Sequence, residues 1–149
     1  MLVACDTAAP ERLGSVRVFA ERAAKVVVID HHLSNGGFGD VLFVDPTAGA
    51  TAQMVFHLIE YLEWPIDAAT ATALYTGVVT DTGRFQYSST SPETHRVAAR
   101  LLELGVAPEI AGRHLYEEAK FGYLKVAARV LGRAELDPEK QLVWSVMTE

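Results

Sequence analysis

Features that mark a secreted, membrane-spanning or duplex-binding protein are scarce in this sequence. It has one cysteine, Cys5, in 149 residues, so no internal disulfide can form and a reducing cytoplasm is the expected compartment. Cys5 lies in an apolar run and reads as a small core residue rather than a nucleophile. No run of about 18 apolar residues occurs, so no membrane span is expected. The N-terminus has no basic segment followed by an apolar one, so no signal peptide is read. Lysine and arginine form no cluster or stripe and the formal net charge is −6, which argues against a long nucleic-acid duplex as partner. An acidic protein can still take small phosphorylated ligands where a metal ion supplies the positive charge.

What is present is half hydrophobic by composition, enough for one domain with a sizeable core. The stretch that organises the rest is Val26-Val27-Val28-Ile29-Asp30-His31-His32. Four β-branched residues in a row read as a strand buried on both faces, as in a parallel sheet. Polar residues at the carboxyl end of such a strand sit where open α/β sheets bind ligands. Asp30, His31 and His32 are therefore candidate metal or phosphate contacts. The plainer reading is an N-cap aspartate followed by two surface histidines. Carboxylates recur in comparable settings at Asp6, which ends the apolar run from Met1, and at Asp81.

Between the first two strands, 15–24 can form a helix with Val16, Phe19 and Ala20 on one face, giving a right-handed βαβ unit with Asp6 and Asp30 at one edge. The glycine-rich stretch 34–40 reads as a turn, and 41–44 as a third strand ended by Asp45-Pro46. A helix follows from Thr51, with Met54, Val55, Leu58, Ile59 and Leu62 at helical spacing and His57 as a structural residue. Its start suits a phosphate or an ordinary N-cap equally. Asp67 is the expected N-cap of a helix over 68–79 that is small and apolar nearly all round, hence buried. That helix ends at Thr80-Asp81-Thr82-Gly83-Arg84-Phe85, where Asp81 needs a metal or a partner such as Arg84. Ser91, Pro92 and Thr94 start a helix closed by Gly105. Further helices are expected over 108–116 and 119–131, then a hairpin of 133–137 and 141–147.

Asp6, Asp30, His31, His32 and Asp81 come from separate elements, and a converging mix of carboxylates and imidazoles suits Mn²⁺. Two such ions about 4 Å apart can clamp a phosphate and activate a water. In this order the residues resemble the DHH phosphoesterases. Asp6, Asp30-His31-His32, and Asp81 within Thr80–Phe85 are similar to that family's motifs II, III and IV. The text around them is most similar to the bacterial oligoribonuclease (nanoRNase) and 3′-phosphoadenosine 5′-phosphate phosphatase branch. That similarity rests on Cys5-Asp6-Thr7 with Arg12-Leu13-Gly14, on Gly49-Ala50-Thr51-Ala52, and on Thr90-Ser91-Pro92-Glu93-Thr94.

The resemblance implies an α/β fold, a Rossmann-like parallel sheet flanked by helices, with a linker helix and a terminal β-hairpin. It implies a Mn²⁺-dependent phosphoesterase, two ions per complete site with Mg²⁺ as the alternative, acting on short oligoribonucleotides or nucleoside bisphosphates. Asp6 would bridge both metals, His31 and Asp81 would ligate one, and His32 would face the phosphate. Asp30 would orient a histidine, and Thr82 and Arg84 would contact phosphate. A homodimer is compatible with it. The family's motif I, a histidine followed by two aspartates, has no counterpart in this sequence, and neither has its glycine-rich histidine motif near the C-terminus. The expected organisation is therefore a partial DHH domain over 1–117, a linker helix over 118–132 and the first hairpin of a substrate-binding domain over 133–149. Such a piece would bind one metal well at most and turn over slowly. The competing readings are a non-catalytic nucleotide-binding or regulatory domain on the same skeleton, and a hydrolase resembling family-II pyrophosphatases.

Overall fold

The structure is a computed structural model and describes residues 1–147; the last two residues of the expected 133–149 hairpin segment lie outside the described residues. The chain divides into two compact units, Met1–Pro108 and a second beginning at Glu109. No helix among the described residues is long and apolar enough to cross a membrane.

The first unit is built on three parallel strands in the order β1 (Leu2–Cys5), β2 (Val26–Asp30), β3 (Val41–Val44). Leu2 pairs with Val26 and Cys5 with Ile29, while Val27 pairs with Val41 and Asp30 with Val44. The Val-Val-Val-Ile run is thus the central strand, and Val28 is fully buried. Its neighbours are edge strands, and burial falls accordingly. In β1 only Ala4 is buried, and Val41, Leu42 and Phe43 of β3 are exposed.

That pattern corrects the reading of Cys5 as a core residue. Alternate strand residues face opposite sides, and Ala4 takes the packed side, which leaves Cys5 exposed. The crossover helix is also shorter than the sequence suggests. Pro10–Val16 winds as a 3₁₀ segment broken at Gly14, whose φ is 55°, and α1 covers only Arg17–Arg22. Of its expected apolar face, Ala20 packs against the sheet cluster of Ala4, Val26 and Val28, whereas Val16 and Phe19 are exposed.

Three helices complete the unit: α2 (Thr51–Tyr61), α3 (Ala68–Asp81) and α4 (Pro92–Glu103). Met54 of α2 packs with Ile29 and Ala48 on the sheet side. Phe56 turns to the other side and joins Leu74 and Val78 of α3 and Val97 and Leu101 of α4. It is the largest fully buried side chain, which the helical spacing alone did not single out. Leu62, expected on the apolar face, is the exposed C-cap. Asp67 caps α3 by accepting from the Thr70 amide, as expected. Burial all round α3 does not occur: Ala71, Leu74, Val78 and Val79 are buried, and Ala68, Ala69, Thr72 and Ala73 are exposed. A run of small residues has too little hydrophobic contrast to reveal its buried face. At α4, Ser91 and Thr94 form the reciprocal capping box, and Gly105 follows with φ 96°.

In the second unit, α5 (Pro108–Gly112, its first residue at the boundary) continues as a π-type turn through Arg113–Glu117. The next helix, α6, spans Phe121–Gly132, two residues later at its start than expected. Strands β4 (Glu135–Asp137) and β5 (Leu142–Trp144) pair antiparallel, and the Asp137 carboxylate accepts from the Lys140 amide and ammonium across the turn.

Because Phe56 ties three helices together, Phe56→Ala is expected to cost about 3–5 kcal/mol. A urea unfolding curve of the metal-free chain measures it, and a loss under about 1 kcal/mol would mean the helices do not depend on that contact.

Candidate metal centre

The parallel sheet delivers its strand ends to one edge, and four acidic or imidazole residues arrive there at once. Asp6 follows β1, Asp30 ends β2, and His31 and His32 leave β2 directly. Asp6 has φ 58°, a left-handed conformation that aspartate tolerates better than most residues, and its amide still donates to the Ile29 carbonyl at 2.9 Å. The Thr51 hydroxyl, at the first turn of α2, donates to Asp6 Oδ1 at 2.8 Å.

His31 is oriented by a bond that fixes its tautomer. Its Nδ1 lies 3.1 Å from the Ala48 carbonyl oxygen. A carbonyl only accepts, so Nδ1 carries a proton, and in the neutral ring Nε2 presents its lone pair. That Nε2 is 3.6 Å from Asp6 Oδ1 and 3.4 Å from Asp81 Oδ2. Asp81 is the last residue of α3, so three elements supply the three donors. Burial and then the nearby Asp6 charge push the Asp81 carboxyl above its usual range, and His31 and His32 only partly oppose this.

His32 turns the other way. Its Nδ1 donates to Asp30 Oδ1 at 2.7 Å. Asp30 is fully buried. Its Oδ1 also accepts from the His31 amide at 2.9 Å, and its Oδ2 accepts from Asn35 Nδ2 at 2.6 Å. Burial alone raises the pKa of this carboxyl, but the bonds from His32 and Asn35 outweigh it and hold Asp30 below the usual carboxylate range. The same Asn35 accepts from the Gly37 amide at 2.8 Å, which fixes its amide orientation and the glycine-rich turn together.

Proximity alone groups Asp6, His31 and His32, whose nearest donor atoms all lie within 4.8 Å of one another. Hydrogen bonding separates the two imidazoles. His32 Nδ1 is committed to Asp30, whereas His31 Nε2 faces two carboxylates. Two ligands at right angles about 2.1 Å from a metal stand about 3 Å apart, close to the spacing seen here. Asp6, His31 and Asp81 therefore fit a divalent cation bound by oxygen and imidazole. Beside them lies a recess of about 280 Å³ lined by Thr51, Ala52, Val55, Gly77 and Thr80 as well as the two carboxylates.

Thr82 does not reach this recess as a phosphate contact. It is fully buried, its hydroxyl donates to the Val78 carbonyl at 2.6 Å and accepts from the Phe85 amide at 3.2 Å. It holds a turn in which Gly83, Arg84 and Phe85 all have positive φ. Arg84 sits exposed in that turn. His57 is the structural residue expected, 3.4 Å from Glu93 and away from the cluster. Sequence reasoning passed over Asn35, read only as part of a turn, and the Ala48 carbonyl, which no side-chain motif could reveal. It weighed the α2 start as a phosphate site or a cap, whereas Thr51 serves Asp6.

Asn35→Ala is expected to destabilise the chain by about 1–3 kcal/mol near neutral pH, because it leaves one oxygen of a buried carboxylate unpaired. Asp30 has a depressed folded pKa, so its stabilising bonds count above the unfolded value of about 3.9 and fade as pH falls through the folded value. The penalty of Asn35→Ala should shrink with acidification; a pH-independent penalty in urea melts would show that Asn35 acts only on the loop. Asp81 has the opposite shift, so Asp81→Asn should raise the melting temperature of the metal-free chain at neutral pH, and a fall would contradict the strain assigned to that carboxylate.

The same residues can be set against known proteins. The chain is 48% identical over 105 residues to the bifunctional oligoribonuclease and PAP phosphatase NrnA of Thermus thermophilus, covering 70% of this chain and 31% of that protein. It is 34% identical over 122 residues to the protein of that name from Bacillus subtilis, covering 78% of this chain and 38% of the relative. The chain thus spans about a third of the length of the curated relatives it matches. Among solved structures it is similar to an exopolyphosphatase-related protein from Bacteroides fragilis, with a TM-score of 0.81 and 28% identity over 91% of this chain and 41% of that one. Residues 1–78, more than half of the chain and including Asp6 and Asp30-His31-His32, match the DHH family, N-terminal domain, and the chain belongs to that family.

Proposed function

We propose that this chain carries metal- and phosphate-binding groups of a Mn²⁺-dependent phosphoesterase acting on short oligoribonucleotides and on 3′-phosphoadenosine 5′-phosphate. The observation that carries the reading is His31 Nε2 standing between Asp6 and Asp81 with its Nδ1 proton tied to a backbone carbonyl. The printed names of the relatives, oligoribonuclease and PAP phosphatase, support the substrate class.

Electrostatics argues for the cation. Asp6 and Asp81 present two negative charges to the recess, and the chain as a whole carries −6. A phosphate would be repelled there unless a cation neutralised the carboxylates. The mix of two carboxylates and one imidazole suits Mn²⁺, with Mg²⁺ as the weaker fit to nitrogen. Bound at this cluster, such a cation would supply Lewis acidity to the phosphate and lower the pKa of the attacking water.

The chain's own groups then have defined tasks. Asp6, half-exposed and held by Thr51, would hold the cation together with His31 and Asp81. His31 and Asp81 complete one ligand set. His32 keeps Nδ1 on the Asp30 carboxylate, which fixes the ring that would face a phosphate oxygen. Arg84, exposed in the turn after Asp81, offers a guanidinium to the same anion. The DHH part is assigned to residues 1–117, with α6 and the β4–β5 hairpin following it in the chain. The exposed, free Cys5 suits a reducing cytoplasm.

The test begins with Mn²⁺ binding by this chain, followed by electron paramagnetic resonance. His31→Ala and Asp81→Ala should each weaken binding by at least about tenfold in chains that still unfold cooperatively. Mononucleotide release from a 5′-phosphorylated adenine dinucleotide, and phosphate release from 3′-phosphoadenosine 5′-phosphate, should depend on Mn²⁺ and vanish with EDTA and in Asp81→Ala. Rapid phosphate release from pyrophosphate with none from either nucleotide would overturn the substrate assignment. Mn²⁺ binding that both substitutions leave intact would overturn the site.

A further inference from the structure

We propose that Gln53 is a positioning residue for the metal ligand His31, acting through the single peptide plane between Ala48 and Gly49. The proposal rests on the reading of His31 as a ligand.

That peptide is gripped from both sides. Its carbonyl, on Ala48, accepts the Nδ1 proton of His31 at 3.1 Å. Its amide, on Gly49, donates to Gln53 Oε1 at 3.2 Å. Because the peptide is planar and rigid, any rotation that breaks one bond swings the other. The direction of Nε2 toward Asp6 and Asp81 is therefore set jointly by the ring and by Gln53.

Gln53 is itself immobilised. It is buried in the first turn of α2, and its Oε1 accepts a second bond, from the Thr94 hydroxyl, at 3.0 Å. Both lone pairs of that oxygen are thereby used. Thr94 is fully buried, and its Oγ1 also accepts from the Ser91 amide at 3.2 Å within the cap of α4. A continuous hydrogen-bonded line thus runs from the α4 cap through Gln53 and one peptide to His31. The peptide also presses on α4 directly. A Cβ at Gly49 would stand 2.6 Å from Thr94 Oγ1 and 3.2 Å from the Ser89 carbonyl oxygen, so only glycine allows this approach. Two residues before Gln53, Thr51 holds Asp6. One helical turn therefore aims two of the three donors.

Bonds in series polarise one another, which makes the line testable without a substitution. A cation on Nε2 makes Nδ1–H a stronger donor to Ala48, and the Gly49 amide in turn a stronger donor to Gln53.

Three readouts decide the proposal. Gln53→Met keeps side-chain length and removes the acceptor; Gln53→Glu keeps an acceptor for both Gly49 and Thr94. Gln53→Met should weaken Mn²⁺ binding about tenfold, and Gln53→Glu should recover most of it. In the metal-free chain, ¹⁵N spectra of the imidazoles should show His31 as the Nδ1–H tautomer in the parent and in Gln53→Glu, and a tautomer mixture in Gln53→Met. A folded Gln53→Met with parent-like affinity and tautomer overturns the proposal. Should Gln53→Met fail to fold, the parent chain titrated with Mg²⁺ decides: the Gly49 amide proton must move downfield, and a stationary resonance overturns the coupling. His31→Ala separates the two levels. If it leaves Mn²⁺ affinity intact, the metal reading fails and takes the proposal with it; if it abolishes affinity while Gln53→Met does not reduce it, the positioning role alone is wrong.

Discussion

A fully buried carboxylate at the end of the central strand constrains everything around it. Ionised Asp30 in an apolar sheet costs several kcal/mol unless its oxygens are bonded, an order of magnitude that no single contact offsets. Three donors meet it, all within five residues in sequence: the His31 amide, the His32 ring and the Asn35 amide. The requirement is local, so the chain leaving β2 has little freedom. It must present His32 inward, bring Asn35 back, and coil the glycine-rich stretch behind it. His31, next in sequence to both, is left to find a partner elsewhere, and it finds the Ala48 carbonyl. Two adjacent histidines thus acquire opposite tasks because one buried charge claims one of them.

The cluster that results is not arranged for stability. Asp6 and Asp81 approach the same nitrogen from different elements, Asp6 in a left-handed conformation and Asp81 with its carboxyl raised toward neutrality by burial and by Asp6. Like charges held together in a partly dry setting cost free energy in the absence of a cation. Proteins keep such arrangements where binding a ligand recovers the cost. The contrast with Asp30 is instructive: one aspartate has its donors built in, while two others face each other with a single imidazole between them. The first is scaffold and the second is the proposed site.

Much of this was readable from the residues, and the boundary of legibility is physical. Four consecutive β-branched residues with carboxylates and imidazoles behind them identify a central parallel strand and its ligand edge. Asp67 and the Ser91–Thr94 pair announce helix starts through local hydrogen bonds that need no tertiary context. Cys5 and α3 were misread because burial on a given face depends on what packs there. β1 lies at an edge of the sheet, and the small residues of α3 give no contrast between faces. Thr82 illustrates the same limit inside a motif. A hydroxyl directly before a glycine-arginine pair looks like a phosphate contact until the fold shows it closing a turn. The tasks of Asn35, Thr51 and Gln53 escaped notice for another reason: each acts on a residue between 4 and 45 positions away, through an amide or hydroxyl whose type is common.

These long-range supports converge on α2. Thr51 reaches Asp6, Gln53 reaches the peptide behind His31 and the cap of α4, Met54 packs on the sheet, and Phe56 fills the cluster shared with α3 and α4. Within six residues the helix thus touches the site, the sheet and the helical core. A rigid helix cannot adjust these contacts independently, because shifting it to relieve one displaces the others. The packing of Phe56 and the alignment of His31 Nε2 are therefore two readings of a single position, that of α2. The geometry of the proposed metal cluster is specified less by the residues that line it than by a buried core that holds α2 in place.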